Sequence, residues 1–262
     1  MRAEKESAPR DLRGWLRITG ASGISEATAL LAGGEGYGVF VVCLDEGQCR
    51  DLSGRIAGSG YFSGDLREPA AVDAALSECL KKFGRVDGVF NVAGVSGRPF
   101  GDGPVHECSA EGWDKTLEAN AKPTFLMCRA VVRHWLEAGR GGAILNMASV
   151  LAFAPESRHF PTHAYAASKG AVISMSRAMA SYYASYGIRV NVVAPALVKT
   201  PMSARAQSDP ELLGFIRRKQ PLSGGLLEAK DVAETALFLL SERSRHVTGQ
   251  VVAVDGGWSV TG

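Results

Sequence analysis

The sequence predicts an α/β protein built on a doubly wound parallel sheet of about seven strands flanked by helices. Three observations carry this. Apolar, strand-like runs alternate with amphipathic stretches between residues 15 and 254. The first run passes through a Gly/Ser turn directly into a helical stretch, within residues 15–32. The second run, VFVVCL at 39–44, is continuously apolar, as a strand buried on both faces of a parallel sheet must be.

Taken in order, Trp15, Leu16, Arg17 and Ile18 read as a strand, TGASGIS at 19–25 as a turn, and Glu26 to about Ala32 as a helix. A strand, a small-residue turn and a helix present backbone N–H groups to a phosphate. The run at 39–44 closes on Asp45, a carboxylate placed to hydrogen-bond both ribose hydroxyls of NAD and to repel the 2′-phosphate of NADP. Neither Ser22 nor Glu46 supplies a cation to offset that repulsion. Residues 60–66 read as a third strand and turn, 69–83 as an amphipathic helix, and 86–94 as a fourth strand ending in a glycine turn. A long helix over about 110–137 precedes a fifth strand at 143–149. A helix holding Tyr165 and Lys169 runs to about 186, and the sixth and seventh strands fall at 189–194 and 251–254. The expected organisation is a leader at 1–11 and one catalytic domain at 12–262, with the irregular stretch 196–225 long enough to act as a substrate lid.

Composition narrows the class. With 262 residues and 46% hydrophobic content the chain can bury a sizeable core. Its 29 basic and 27 acidic residues leave a charge of +2 with no block of one sign, which argues against nucleic acid or a membrane surface as partner. The scattered cysteines Cys43, Cys49, Cys79, Cys108 and Cys128 form no C-x-x-C pair, so reduced thiols in a cytoplasmic protein are expected, and no zinc site. The leader, MRAEKESAPRDLRG, has no apolar core of a signal peptide, and no run reaches the length of a membrane span. His106, His134, His159, His163 and His246 lack ligand-like spacing, so no metal is expected. Trp113, Trp135 and Trp258 read as packing residues.

The chemistry centres on YAASK at 165–169. Positions i and i+4 share a helix face, so the Lys169 ammonium can sit beside the Tyr165 phenol. A neighbouring cation favours phenolate, and a phenol so tuned can exchange a proton with an alcohol or carbonyl oxygen.

With the order of motifs in view, the chain resembles the short-chain dehydrogenase/reductase family from about Leu12 to Val260, on TGASGIS, Asp45, Asp65-Leu66, NVAG at 91–94, Asn120, Ser149, YAASK, PALVKT at 195–200 and VDGGW at 254–258. The resemblance implies a Rossmann-type fold and an NAD-dependent oxidoreductase interconverting a secondary alcohol and a ketone, with NADP the less favoured cofactor. It implies that Tyr165 is the proton donor or acceptor and that Lys169 lowers the Tyr165 pKa and holds the nicotinamide ribose. It further implies that Ser149 bonds the reacting oxygen, and that Asn120 holds its helix open around a water linking Lys169 to solvent. Gly20, Ser22, Gly23 and Ile24 would cradle the pyrophosphate. Asp65 and Leu66 would lie beside the adenine, and Asn91, Ala93 and Gly94 beside the adenosine ribose. Pro195, Val198 and Thr200 would line the nicotinamide, Thr200 taking its carboxamide. A homodimer or homotetramer is implied through the long helix and the Tyr165 helix. The substrate pocket would draw on Val95, Arg98, Phe100, Leu151, Phe153, His159, Phe160, Leu197 and Met202, a mainly apolar set with a few cations that suits a modest ketone or secondary alcohol, including one with an anionic tail.

The chain departs from the family pattern in its cofactor frame. Gly20 and Gly23 stand one residue closer than the usual T-G-x-x-x-G-x-G, and Ser25 replaces the last glycine. Val92 replaces an Asn, Ala196 a Gly, and Arg17 interrupts a strand expected to be buried. These changes leave a second function open, a dinucleotide-binding or scaffold protein with weakened catalysis. A dehydratase or epimerase is a third, disfavoured because such enzymes need a larger C-terminal region.

Overall fold

Alternate residues of the strand Gly38–Cys43 enter opposite layers, Val39, Val41 and Cys43 one core and Phe40 and Val42 the other. That two-sided burial sets the architecture. The computed structural model describes residues 14–261, so the leader at 1–11 lies outside the described residues. Seven strands, β1 (Trp15–Thr19), β2 (Gly38–Cys43), β3 (Gly60–Ser63), β4 (Gly88–Asn91), β5 (Gly142–Met147), β6 (Ile188–Pro195) and β7 (Val251–Val254), form one sheet. The order is β3-β2-β1-β4-β5-β6-β7 and every pairing is parallel. Helices α1 (Ile24–Gly34), α2 (Glu46–Gly54) and α8 (Ala229–Leu240) cover one face. Helices α3 (Pro69–Phe83), α4 (Ala110–Glu137) and α5 (His163–Tyr183) cover the other. The strand order reverses between β1 and β4, and the crevice beyond the carboxyl ends of those strands is where such sheets take ligands.

The expected α/β class and sheet are present, and α3, α4 and β7 have the boundaries read from sequence. Other elements differ. The third strand stops at Ser63 and the fourth is only Gly88–Asn91; beyond Asn91 the chain leaves the sheet, and Val92, Ala93 and Gly94 line the crevice. The Tyr165 helix ends at Tyr183; one 3-10 turn and Gly187, at φ 72°, then hand the chain to β6. Helix α2 had no sequence reading; it begins where the Asp45 carboxylate accepts a hydrogen bond from the Gln48 N–H, an N-cap. The stretch 196–225 is not irregular throughout, since it holds α6 (Ala204–Ser208) and α7 (Pro210–Lys219).

The expectation of reduced thiols is corrected for two cysteines. Cys43 and Cys49 form a disulfide, because the end of β2 and the first turn of α2 bring their Cα atoms to 5.9 Å. Cys79, Cys108 and Cys128 are free.

Arg17 is the other anomaly. Its side chain is fully buried between β1 and α3, donates one hydrogen bond to the Val72 carbonyl at 3.3 Å, and leaves Nε and Nη1 without a partner. Burial pulls its pKa down to about 10, against weaker attraction from Cys79 and Asp73. Among the described residues no helix is long and apolar enough to cross a membrane.

Candidate active site

At the carboxyl ends of β1, β4, β5 and β6 a cavity of about 450 Å³ is lined by both the turn residues Gly20, Ser22 and Ile24 and the triad Ser149, Tyr165 and Lys169. Ala93, Gly94, Pro195, Val198 and Thr200 line the same space.

The reacting groups are firmly placed. Lys169 is buried one helical turn after Tyr165; its Nζ donates to the Met147 carbonyl at 3.1 Å and lies 5.7 Å from the Tyr165 ring centroid. Ser149 lies two residues beyond the end of β5, takes the Leu151 N–H on its Oγ at 3.3 Å, and contacts the Tyr165 hydroxyl. Burial pushes the Tyr165 phenol up to about 12, and the Ser149 hydrogen bond opposes that. Burial also lowers Lys169 to about 8. The expected lowering of the Tyr165 pKa by Lys169 is not what dominates the phenol. Desolvation outweighs it, and the hydroxyl that favours phenolate is that of Ser149.

Asn120 is fully buried in α4, which continues unbroken through it. Its amide clasps the Val95 backbone, Oδ1 accepting the N–H at 2.8 Å and Nδ2 donating to the carbonyl at 3.1 Å. This clasp, rather than an opened helix, is what engages the side chain here. Gly94 sits between the two groups: a Cβ there would lie 2.6 Å from Asn120 Oδ1 and 3.3 Å from Lys169 Nζ. Only glycine lets that backbone pass.

The dinucleotide frame is present despite the missing residue. Gly20 (φ 94°) and Gly23 (φ 59°) carry the turn, and a Cβ on Gly23 would lie 2.8 Å from Thr200 Cγ2. Helix α1 starts at Ile24 with no side-chain cap, leaving first-turn N–H groups for an anion. Ser25 is buried and donates to the Thr19 carbonyl at 3.1 Å, while Thr19 Oγ1 accepts the Val92 and Ala93 N–H groups at 2.8 and 3.0 Å. Glycine conformations, an uncapped helix start and a carboxylate at the end of β2 fit a nicotinamide dinucleotide.

Other predicted residues are placed less directly. Asp45 is exposed at the α2 N-cap, outside the cavity lining, as are Asp65 and Leu66. Asp65 is ion-paired with Arg67 at 2.6 Å, and hydrogen bonding to Arg67 lowers its pKa. Leu66 is buried in the α3 layer. The Asn91 side chain is turned into the core, where its Nδ2 donates to Asn146 Oδ1 at 2.8 Å, so only its backbone faces the crevice region. Of the expected pocket residues, Arg98, Leu151, Phe160, Leu197 and Met202 line the cavity; Val95, Phe100, Phe153 and His159 do not.

Sequence reasoning missed three contributors. Asp102 is buried and accepts the Ala164 and Tyr165 N–H groups, both at 2.9 Å, so it fixes the start of the Tyr165 helix from the loop after β4. No local pattern links residues so far apart in sequence. Arg205, from α6, lines the cavity beside Arg98. Trp258 is a cavity wall held by Nε1–H donation to the Ala154 carbonyl at 3.0 Å, with edge-on contacts to Phe160 and Phe215. Among the described residues no cluster of His, Cys, Asp and Glu could hold a metal ion.

A family model described as enoyl-(acyl carrier protein) reductase matches residues 18–259. A D-threitol dehydrogenase of Mycolicibacterium smegmatis is 34% identical, over 93% of this chain and 92% of its own. An inactive 2-(S)-hydroxypropyl-CoM dehydrogenase 2 of Xanthobacter autotrophicus is 36% identical, over 84% of this chain and 95% of its own. Among solved structures, the 3-ketoacyl-(acyl-carrier-protein) reductase of Brucella melitensis, complexed with NADH, superposes with a TM-score of 0.84 at 31% identity, covering 95% of this chain and 99% of its own.

Proposed function

The chain belongs to the short-chain dehydrogenase/reductase family, and from that premise we propose an NAD-preferring enzyme in which Tyr165 exchanges the proton at the reacting oxygen. The class is an oxidoreductase interconverting a secondary alcohol and a ketone with a nicotinamide dinucleotide. When bound, the nicotinamide supplies or takes up the hydride.

The protein's own residues do the rest. Tyr165 gives its proton to the carbonyl oxygen in reduction and takes one from the hydroxyl in oxidation. Ser149 donates to that same oxygen and holds developing negative charge. Lys169 holds the nicotinamide ribose, and its charge favours phenolate once the cleft is filled. Asn120 keeps the Gly94–Val95 backbone where Lys169 needs it. Gly20, Ser22, Gly23 and Ile24 hold the pyrophosphate, Asp65 and Leu66 flank the adenine, and Asn91, Ala93 and Gly94 lie by the adenosine ribose. Pro195, Val198 and Thr200 meet the nicotinamide. The observation that carries the reading is the single cavity shared by the α1 turn and the Ser149–Tyr165–Lys169 group.

Preference for NAD rests on Asp45. Its Oδ1 accepts the Gln48 N–H at 2.8 Å, its other oxygen is in no hydrogen bond or ion pair among the described residues, and no basic residue is ion-paired to it. An uncompensated carboxylate attracts ribose hydroxyls and repels a 2′-phosphate. The reading is completed by one catalytic domain over 12–262 behind a leader at 1–11, a substrate lid at 196–225, a homodimer or homotetramer, and a cytoplasmic location.

A weakened, non-catalytic dinucleotide binder is the second reading, favoured by the short 20–25 turn. One experiment separates them: titration with NADH and NADPH by fluorescence, on the parent and on Tyr165→Phe, with turnover of a ketone panel. NADH binding about tenfold or more tighter than NADPH is expected. Tyr165→Phe should keep NADH affinity and lose about 10²- to 10⁴-fold in kcat. Full turnover by the variant sinks the mechanism; NADH binding without any turnover by the parent favours the second reading.

A further inference from the structure

Two guanidinium groups meet at the mouth of the cavity. Arg98, in the 3-10 turn Arg98–Phe100 after β4, donates Nη2 to the His159 carbonyl at 2.6 Å. Arg205 of α6 donates Nη2 to that same oxygen at 3.2 Å and lies 5.7 Å from the Phe160 ring centroid. Both line the cavity that contains Tyr165. Two like charges sharing one carbonyl repel. Burial lowers the Arg98 pKa, the Arg205 charge lowers it further, and only Asp102 acts the other way.

The nearby acids do not neutralise the pair. Asp102 is spent on the α5 N–H groups, and Glu156 accepts the N–H groups of residues 158–160. Glu211 is ion-paired to Arg158 at 2.5 Å. Among the described residues neither Arg98 nor Arg205 has a carboxylate partner, and each spends only one side-chain hydrogen bond within the chain. A guanidinium carries five N–H donors in a planar fork, so most of the donors in this pair are unspent.

We propose that Arg98 and Arg205 form an oxyanion subsite, and that the substrate is a secondary alcohol or ketone carrying a carboxylate or sulfonate on the arm remote from the reacting carbon. This rests on the cleft being the substrate site. The oxyanion bridges two segments, the turn after β4 and the lid helix α6, relieves their repulsion, and leaves the reacting carbon toward Tyr165. Leu151, Leu197 and Met202 supply the apolar walls between the two ends.

The test uses hexanoate, hexane-1-sulfonate and the isosteric neutral hexanamide, titrated calorimetrically into the full-length protein with and without NAD. One or both anions should bind about tenfold or more tighter than the amide, the preference shrinking with salt. The carboxylate and sulfonate arms tell which oxyanion the fork prefers. Arg98→Gln and Arg205→Gln should each erode that preference, and the double variant, shown folded by circular dichroism, should abolish it. Equal binding of amide and anions, a preference that survives in the double variant, or no binding of any probe overturns the proposal. NADH titration of the same samples reads the cofactor assignment separately: anion preference without NADH binding would sink that assignment and leave the subsite standing.

Discussion

The half of the sheet from β4 to β6 and the half from β1 to β2 are built to different standards. In the first, the groups nearest the chemistry have partners: Lys169 has the Met147 carbonyl, Asn120 has both polar groups of Val95, and the α5 N-terminus has Asp102, while the buried side-chain atom left without a partner among the described residues is Asn91 Oδ1, on the core side of β4. In the second, a buried arginine leaves two nitrogens unpaired, and the phosphate turn is a residue short. The difference teaches where precision is required. Proton transfer depends on fixed side-chain atoms, whereas pyrophosphate is held by backbone N–H groups, which a shorter loop can still present.

Perturbing each half in turn can break this comparison. The largest effect is expected from Lys169→Met, which should lower kcat about 10²-fold or more. It also carries a pH signature. The folded pKa of about 8 lies below the ordinary 10.5, so the unfolded chain binds more protons between those values and stability rises with pH across that window. The cost of the buried charge is fully present below about pH 8. Urea unfolding should show the parent gaining about 2 kcal/mol on the variant between pH 7 and pH 9.5. A constant gap would mean Lys169 is not desolvated as described.

In the other half the expected change has the opposite sign. Arg17→Leu should stabilise the protein by about 1–3 kcal/mol, since an apolar residue replaces a buried charge without a full set of partners. The thiol it faces is only a weak counter-ion, because burial pushes Cys79 up to about 12. Destabilisation in urea or heat would give Arg17 a structural role and level the contrast. The smallest effect belongs to Ser25→Gly. Because Ser25 packs on Gly20 and bonds to the Thr19 carbonyl, restoring the family's glycine should cost about 1 kcal/mol of stability and leave NADH affinity within about twofold. A large gain in affinity would show that the turn is impaired after all.

These contrasts follow what was legible in the sequence. Helix α3 announced itself with Pro69 at its first position and an apolar stripe, and β7 by its run of valines and alanine. Helix α2 did not, since its residues are polar and its start signal, Asp45, also read as a ribose ligand. The Tyr165–Lys169 pair was readable because helix spacing fixes it locally, and Ser149 was reached only through the family resemblance of the motif order. Asp102, Arg205 and the inward turn of Asn91 were not, because each depends on a partner tens of residues away: α5, the His159 carbonyl and Asn146. The Cys43–Cys49 bond escaped for a related reason, as it needed the unread helix α2 to bring its ends together.

Asp102 has a wider consequence. Its own N–H donates to the Gly97 carbonyl at 3.1 Å, so the short turn that carries Arg98 also grips the first residues of α5. On the roles proposed for Arg98 and Tyr165, recognition and reactivity share one lever. A ligand that draws Arg98 inward pulls on the helix bearing the phenol, and a poor fit at the far end of the substrate is felt as misalignment at the reacting oxygen. Discrimination on such a lever is expressed in kcat as well as in KM, and a truncated substrate turns over slowly even when it saturates the enzyme.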